Sequence, residues 1–360
     1  MTPRYKRHSG YRGYEGTNAF GPGVDGFDDG TVNAGRRIRV KLGGDAYGCS
    51  ERAHWNHGKE GSTRMFSSLH ALRLAPDIAE QVAGAWRAAH IDGRLAIPLS
   101  AVAVLAMNEG NASDRRQMRA VVLSWDDDQF AAYARAQWGT LALVRPELVV
   151  PALPLIDVWA GERSLSPQQL RSAKRAADAA LRAGLTELTG TERRFEADVL
   201  GMLLTALRSR ADHQARGQFY TPPQVSDLIA RLLARNPASL SANRSFHDAT
   251  AGSGGLLRAV ANELRWAGIN PASVQWSATD PDELAIACLA VNVVLWGLGS
   301  DVLLVVTDCL TNPLLDTARQ ERQEMRELMA RMRIAHEGVE LLTRLEALLR
   351  GTNRRETINE

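Results

Sequence analysis

Cysteine is scarce in this chain, and its three copies, Cys49, Cys288 and Cys309, are scattered and odd in number. That excludes a disulfide-stapled scaffold and points to a reducing compartment. Also missing is any apolar run of about 18 or more residues, so no membrane-spanning helix is expected. The N-terminus is polar and carries no apolar segment of the secretory kind, which makes a soluble, cytoplasmic location the expectation. Charge of one sign is lacking too. With 43 basic and 41 acidic residues, the chain does not hold nucleic acid by bulk charge alone. Lysine is confined to Lys6, Lys41, Lys59 and Lys174, so the positive charge is almost all arginine. Arginine forks onto phosphates, but a GC-rich coding bias gives the same composition and is the simpler explanation.

What is present suffices for a sizeable core: 45% of the 360 residues are hydrophobic, enough for one large or two modest domains. Residues 1–65 stand apart, with thirteen of the 30 glycines and few aliphatic side chains. Such a composition cannot bury enough surface to offset the entropy of ordering, so a flexible arm is expected. Its Tyr5, Tyr11 and Tyr14 alternate with Arg4, Arg7 and Arg12, a pattern able to stack on nucleic acid; an inert tail is the simpler reading. Cys49, His54 and His57 superficially suggest a metal site. Zinc normally takes four ligands, no second pair is evident, and no metal is expected.

Residues 66–215 read as a mostly helical domain. Pro76–His90 and Asp114–Trp138 have helical patterns, with Trp86, Trp125 and Trp138 on apolar stretches as candidate core. Pro146, Pro151 and Pro154 punctuate residues 145–165, which read as a connector. Ser166-Pro167 starts a helix that runs to Gly184. Thr189 to Glu192 resembles a capping box opening another, with Phe195, Val199, Met202, Leu203 and Leu207 on its apolar face. Its basic end (Arg208, Arg210, Arg216) serves the helix dipole without needing a ligand.

After residue 217 the pattern changes to strand, glycine-rich turn and helix, repeated. Ser245–Ala249, Val274–Thr279 and Asp301–Thr307 read as strands, with helical stretches after Gly252 and from Pro281 to Leu298. Strands alternating with helices predict an α/β fold with a parallel sheet. The sharpest local signal is Asp248-Ala-Thr-Ala-Gly-Ser-Gly-Gly-Leu-Leu257. An acid ends a strand, and glycines at 252, 254 and 255 let backbone approach a ligand before a helix offers its free N–H groups. No Lys-Ser/Thr pair follows, so this is not a P-loop.

Around this turn stand Gly217-Gln-Phe-Tyr-Thr-Pro222 upstream, and Asp280-Pro-Asp-Glu283 and Thr307-Asp-Cys-Leu310 downstream. Together they resemble the adenine-N6 DNA methyltransferases, especially the modification subunits of type I restriction systems, over residues 217 to about 313. The resemblance implies a partial Rossmann-like class I methyltransferase sheet over 216–313, S-adenosylmethionine as cofactor and DNA, with an adenine target, as partner. It implies that Phe219, Tyr220, Thr221 and Pro222 line the methionine side of the cofactor. Asp248 with Ala251, Gly252, Ser253 and Gly254 would hold its amino-acid end. Asp280 is the best available carboxylate for the ribose hydroxyls, and Asp308 would sit near the adenine ring. Structural alternatives stand beside each role: a plain turn at Asp248, core packing at Tyr220, a strand end at Asp308.

The resemblance also breaks. Ala249-Thr-Ala251 replaces the family's Pro-Ala-Cys, and Ala278 stands where an acid is common. The tetrapeptide Asn/Asp-Pro-Pro-Tyr/Phe, which in the family receives the target amino group and stacks on the flipped base, occurs nowhere in the sequence; Asn312-Pro313 lacks the second proline and the aromatic residue. No catalytic residue is therefore assigned. Residues 314–360 read instead as a charged helical tail. Met325, Leu328, Met329 and Met332, then Leu341, Leu342, Leu345, Leu348 and Leu349, form an apolar stripe suited to a protein partner. Three readings follow: a methyltransferase that needs a partner for catalysis, a degenerate binding or regulatory module that keeps the cofactor pocket, or a methyltransferase with a noncanonical acceptor site.

Overall fold

In the computed structural model the residues described are 60–89, 94–108, 112–161, 165–208, 221–233, 245–310, 318–332 and 334. Cys49, His54, His57, Phe219, Tyr220, residues 1–59 and residues 335–360 lie outside them, and so do the expectations placed on them.

The N-terminal part is helical. Helix α1 spans Glu60–Arg87, so the last residues of the expected arm are helical and Pro76 lies inside the helix rather than at its start. Pro76 removes one backbone bond. Burial of Ala75, Ile78, Ala79, Val82 and Trp86 along one face carries the helix through it. Helix α2, Ala96–Ala106, is buried from Ile97 onward and sits at the centre of the bundle. Its one hydroxyl, Ser100, is fully met: Oγ donates to Leu155 O (2.7 Å) and accepts from the indoles of Trp138 (2.9 Å) and Trp159 (2.8 Å).

The single helix read over Asp114–Trp138 is two, α3 (Ala112–Ser124) and α4 (Asp127–Val144). Asp126 breaks the run, accepting from Gln129 N while the Gln129 side chain accepts from Asp126 N, a reciprocal cap. Trp86 and Trp138 are core, and Trp125 packs half-buried against it.

The expected connector at 145–165 is instead a 3₁₀ turn, Pro146–Leu148, leading into helix α5, Val149–Ala160. Pro146 and Pro151 fall within first turns, where no backbone N–H is required. The bond lost at Pro154 is offset by burying Leu155, Val158 and Trp159. Helix α6, Pro167–Arg182, begins at Ser166 as expected, and Gly184 follows its end with φ +99°. Helix α7 is the short Leu185–Thr189. The capping box expected at Thr189–Glu192 does not open a long helix. Thr191 caps only a 3₁₀ turn, Glu192–Phe195, and helix α8, Val199–Leu207, starts from its own N-cap, Asp198.

The α/β part follows helix α9 (Pro223–Leu233). Strands β1 (Ser245–Asp248), β2 (Gln275–Asp280) and β3 (Val302–Val306) pair in parallel in the order β1-β2-β3. Helices α10 (Gly255–Trp266) and α11 (Glu283–Leu295) make the two crossovers. This is the partial Rossmann-like α/β fold expected, on the strands expected. Helix α11 is buried almost all round because it packs on β2 and β3 on one side and on α2, α5 and α8 on the other. Residues 318–332 form helix α12, tied to the start of β3 by Arg322 Nη1, which donates to Val302 O (2.9 Å). No described helix is long and apolar enough to cross a membrane.

Candidate functional site

Parallel strands bring their carboxyl ends to one edge, where open α/β sheets place their ligands. A cavity of about 990 Å³ lies there. Asp248, Thr250, Ala251, Gly252 and Ser253 line it from the β1 turn, and Asp280 from the end of β2. Thr221, Pro222 and Ser226 line it from the start of α9, and Glu80, Asp198 and Arg208 from the helical part. The volume suits a ligand of cofactor size.

The turn after β1 is held by backbone bonds. Ala251 N donates to Thr279 O (2.9 Å), and Gly252 N donates to Asp280 Oδ2 (2.8 Å). Asp280 Oδ1 accepts from Asp282 N (2.9 Å), so this one carboxylate couples the ends of two strands. Asp248 Oδ1 accepts from Thr250 N (3.1 Å). Burial raises the pKa of both acids. Backbone N–H groups pull each back toward its ordinary value, and for Asp280 the charge of Arg208 adds to that pull.

Of the residues singled out in the sequence, the structure thus gathers Thr221, Pro222, Asp248, Ala251, Gly252, Ser253 and Asp280 on one cavity. Gly254 stands off the lining. Its φ is +95°, and a Cβ there would meet Leu289 Cδ1 at 2.3 Å, so glycine is required by conformation and packing. Asp308 follows β3 and accepts from Leu310 N (3.0 Å), also off the lining.

Sequence reading missed the polar frame behind the turn. Asp198 accepts from Ser253 Oγ (2.5 Å), Gly201 N (2.8 Å) and Asn292 Nδ2 (2.8 Å). Asn292 Nδ2 also donates to Ser253 O (2.9 Å), so Ser253 is gripped at side chain and backbone. Burial raises the Asp198 pKa against these bonds. Arg208 forks onto Asp282 (2.5 and 2.9 Å), with both side chains buried. Arg258 pairs with Asp227 (2.9 Å) and donates to Glu196 O (3.2 Å). Asn292 left a signal in the sequence, a lone amide inside an apolar helix. Asp198 left another, an acid three residues before Gly201, hidden by reading one helix across both.

A Cβ on Gly201 would lie 2.1 Å from Ser253 Oγ and 2.2 Å from Asp198 Oδ2. Gly201→Ala is therefore expected to destabilise the chain by about 1–3 kcal/mol, seen as a lower urea midpoint at unchanged slope. An unchanged midpoint would show that α8 and the turn do not meet in this way.

Among the described residues no group of three or more His, Cys, Asp and Glu could hold a metal ion. Cys288 and Cys309 are free thiols, the first buried in α11.

No curated protein matches the chain. Residues 196–330 match the family model described as N-6 DNA Methylase, a span that holds α8, α9, the glycine-rich turn and all three strands. Over this region the chain is similar to the adenine-N6 DNA methyltransferases.

Proposed function

We propose that the cavity binds S-adenosylmethionine and that the chain is the cofactor-binding part of an adenine-N6 DNA methyltransferase of a restriction-modification-like system. It would act in the cytoplasm, with a partner protein completing the catalytic site. The charge of the cavity carries this reading. Five carboxylates line it, Glu80, Glu196, Asp198, Asp248 and Asp280, against two guanidiniums, Arg208 and Arg258. Both guanidiniums already face acids outside the lining, Asp282 and Asp227. Such a lining suits a ligand with a sulfonium and an ammonium group and opposes a nucleotide polyphosphate.

When bound, the cofactor supplies a methyl group activated on sulfur. In this reading the Asp280 carboxylate keeps lone pairs for two ribose hydroxyls while also accepting from Gly252 N. Asp248 and the backbone of Ala251 to Ser253 face the amino-acid end, Thr221 and Pro222 close the methionine side, and Gly254 keeps the turn in shape; Phe219 and Tyr220 are assigned to the methionine side by resemblance alone. Asp308 is assigned to the adenine ring by resemblance alone. No side chain is assigned to the target adenine, because the Asn/Asp-Pro-Pro-aromatic tetrapeptide is absent from the sequence. That absence is compatible with a partner-dependent enzyme and equally with a second reading, a regulatory module that retains the pocket. Half-exposed Leu328 and Met332 on α12 offer apolar surface to the partner.

Calorimetry of the purified chain with S-adenosylmethionine tests the pocket. Wild type is expected to bind and Asp248→Ala to bind more weakly by about tenfold, the worth of one charge-assisted contact. No heat with wild type, or equal affinity for both, overturns the assignment. Transfer of a methyl group to DNA adenine by the chain alone would refute the need for a partner.

A further inference from the structure

Asp198 stands at the wall of the cavity, partly exposed, as the cap that opens α8. Its carboxylate is held rigidly. Oδ1 accepts from Gly201 N (2.8 Å) and Asn292 Nδ2 (2.8 Å), and Oδ2 accepts from Ser253 Oγ (2.5 Å). All three donors are neutral. Among the described residues no arginine, lysine or histidine forms an ion pair with this acid. Arg258 eases its charge only from a distance and is itself paired with Asp227. Asparagine would fill the same place with every bond kept. Its carbonyl would accept from Gly201 N and Asn292 Nδ2, and its amide would donate to Ser253 Oγ, a hydroxyl with lone pairs to accept it. The acid therefore adds one thing to the frame, a fixed negative charge at the cavity wall. Such a charge is costly in a partly desolvated place unless a cation answers it.

We propose that Asp198 is a specificity residue whose charge makes the cavity prefer S-adenosylmethionine over S-adenosylhomocysteine, the product left once the methyl group has gone. The proposal deepens the S-adenosylmethionine reading and rests on it. The two ligands share their adenosine and amino-acid ends and differ by one methyl group and one positive charge on sulfur. Hydrogen bonds to the shared parts cannot tell them apart. A fixed charge can, because Coulomb attraction acts across several ångströms of a low-dielectric cavity without direct contact. Asp280 is less suited to this role, since it accepts from two backbone N–H groups and Arg208 already eases its charge. After transfer the sulfur is neutral, so the attraction to Asp198 is lost and the spent ligand exchanges more readily for a charged one.

The test is calorimetry of the full chain with S-adenosylmethionine and with S-adenosylhomocysteine, on wild type, Asp198→Asn and Ser253→Ala. Wild type is expected to prefer the sulfonium ligand by about tenfold, and Asp198→Asn to lose roughly fivefold of that preference, the size of one charge–charge attraction across a partly hydrated cavity. Ser253→Ala removes a donor and leaves the charge, so it is expected to keep the preference. Without ligand, Asp198→Asn is expected to melt no lower than wild type, because the frame keeps its bonds. Wild-type binding with no preference, or a preference unchanged in Asp198→Asn, overturns the role of Asp198 and leaves the cofactor reading standing. An equal loss in Ser253→Ala would trace the preference to the shape of the frame, and a marked fall in the melting temperature of Asp198→Asn would give the charge to the fold; either overturns it too. If wild type binds neither ligand, the cofactor reading fails and takes this proposal with it.

Discussion

Arg208→Met is expected to destabilise the chain by about 3–5 kcal/mol, because it removes the bidentate guanidinium from a buried carboxylate, Asp282. The two side chains are only 3% and 2% exposed, so solvent cannot replace the lost partner. Asp282 also caps α11, accepting from Leu284 N, so its position is not free to relax outward. For a chain of this size the loss corresponds to a fall in melting temperature on the order of 10 °C. The double variant Arg208→Met with Asp282→Asn is expected to recover part of it, since no uncompensated charge remains. The check is a thermal and urea series on both variants and wild type. A single variant as stable as wild type would show the pair to be solvated rather than buried.

The second large effect concerns Asp280. Asp280→Ala is expected to weaken S-adenosylmethionine by about a hundredfold, the worth of two hydrogen bonds from ribose hydroxyls to a charged acceptor. Asp280→Asn keeps one acceptor oxygen and is expected to lie between. The pH dependence follows from the raised pKa values. A cationic ligand needs Asp248 and Asp280 ionised, so affinity falls as pH drops through their folded pKa values, above the ordinary carboxylate value of 3.8. Stability moves the other way. A folded pKa above the unfolded one gives a contribution present in full below the unfolded pKa and lost as pH rises through the folded one. The contribution of Asp198, Asp248 and Asp280 to ligand-free stability therefore grows on mild acidification, while affinity declines. Calorimetry and melting curves over the same pH series check both signs; an affinity indifferent to pH, or to Asp280→Ala, contradicts the assignment.

Local signals carried the reading furthest where neighbours in sequence are also neighbours in space. Ser166-Pro167 starts a helix whatever surrounds it, and the β1 turn is named by its own glycines. Reading failed where packing overrode local preference. The prolines of 145–165 argued for a connector, but Leu155, Val158 and Trp159 bury enough surface to hold α5 across Pro154. The pattern from Glu192 to Leu207 is that of one continuous helix, which conceals the break at Asp198 and, with it, the residue that grips Ser253.

The sequence by itself determined the alternation of strands and helices from Ser245 to Val306, the glycine-rich turn and the acids that end β1 and β2. Each depends on a few adjacent residues and the period of the chain. Only the tertiary structure decided which polar groups converge. Asp198 and Asn292 are 94 residues apart and Arg208 and Asp282 are 74 apart, so no local pattern records their meeting. Nor could sequence show that the Ser226 hydroxyl is left unmet, because an unsatisfied donor is defined by everything packed around it.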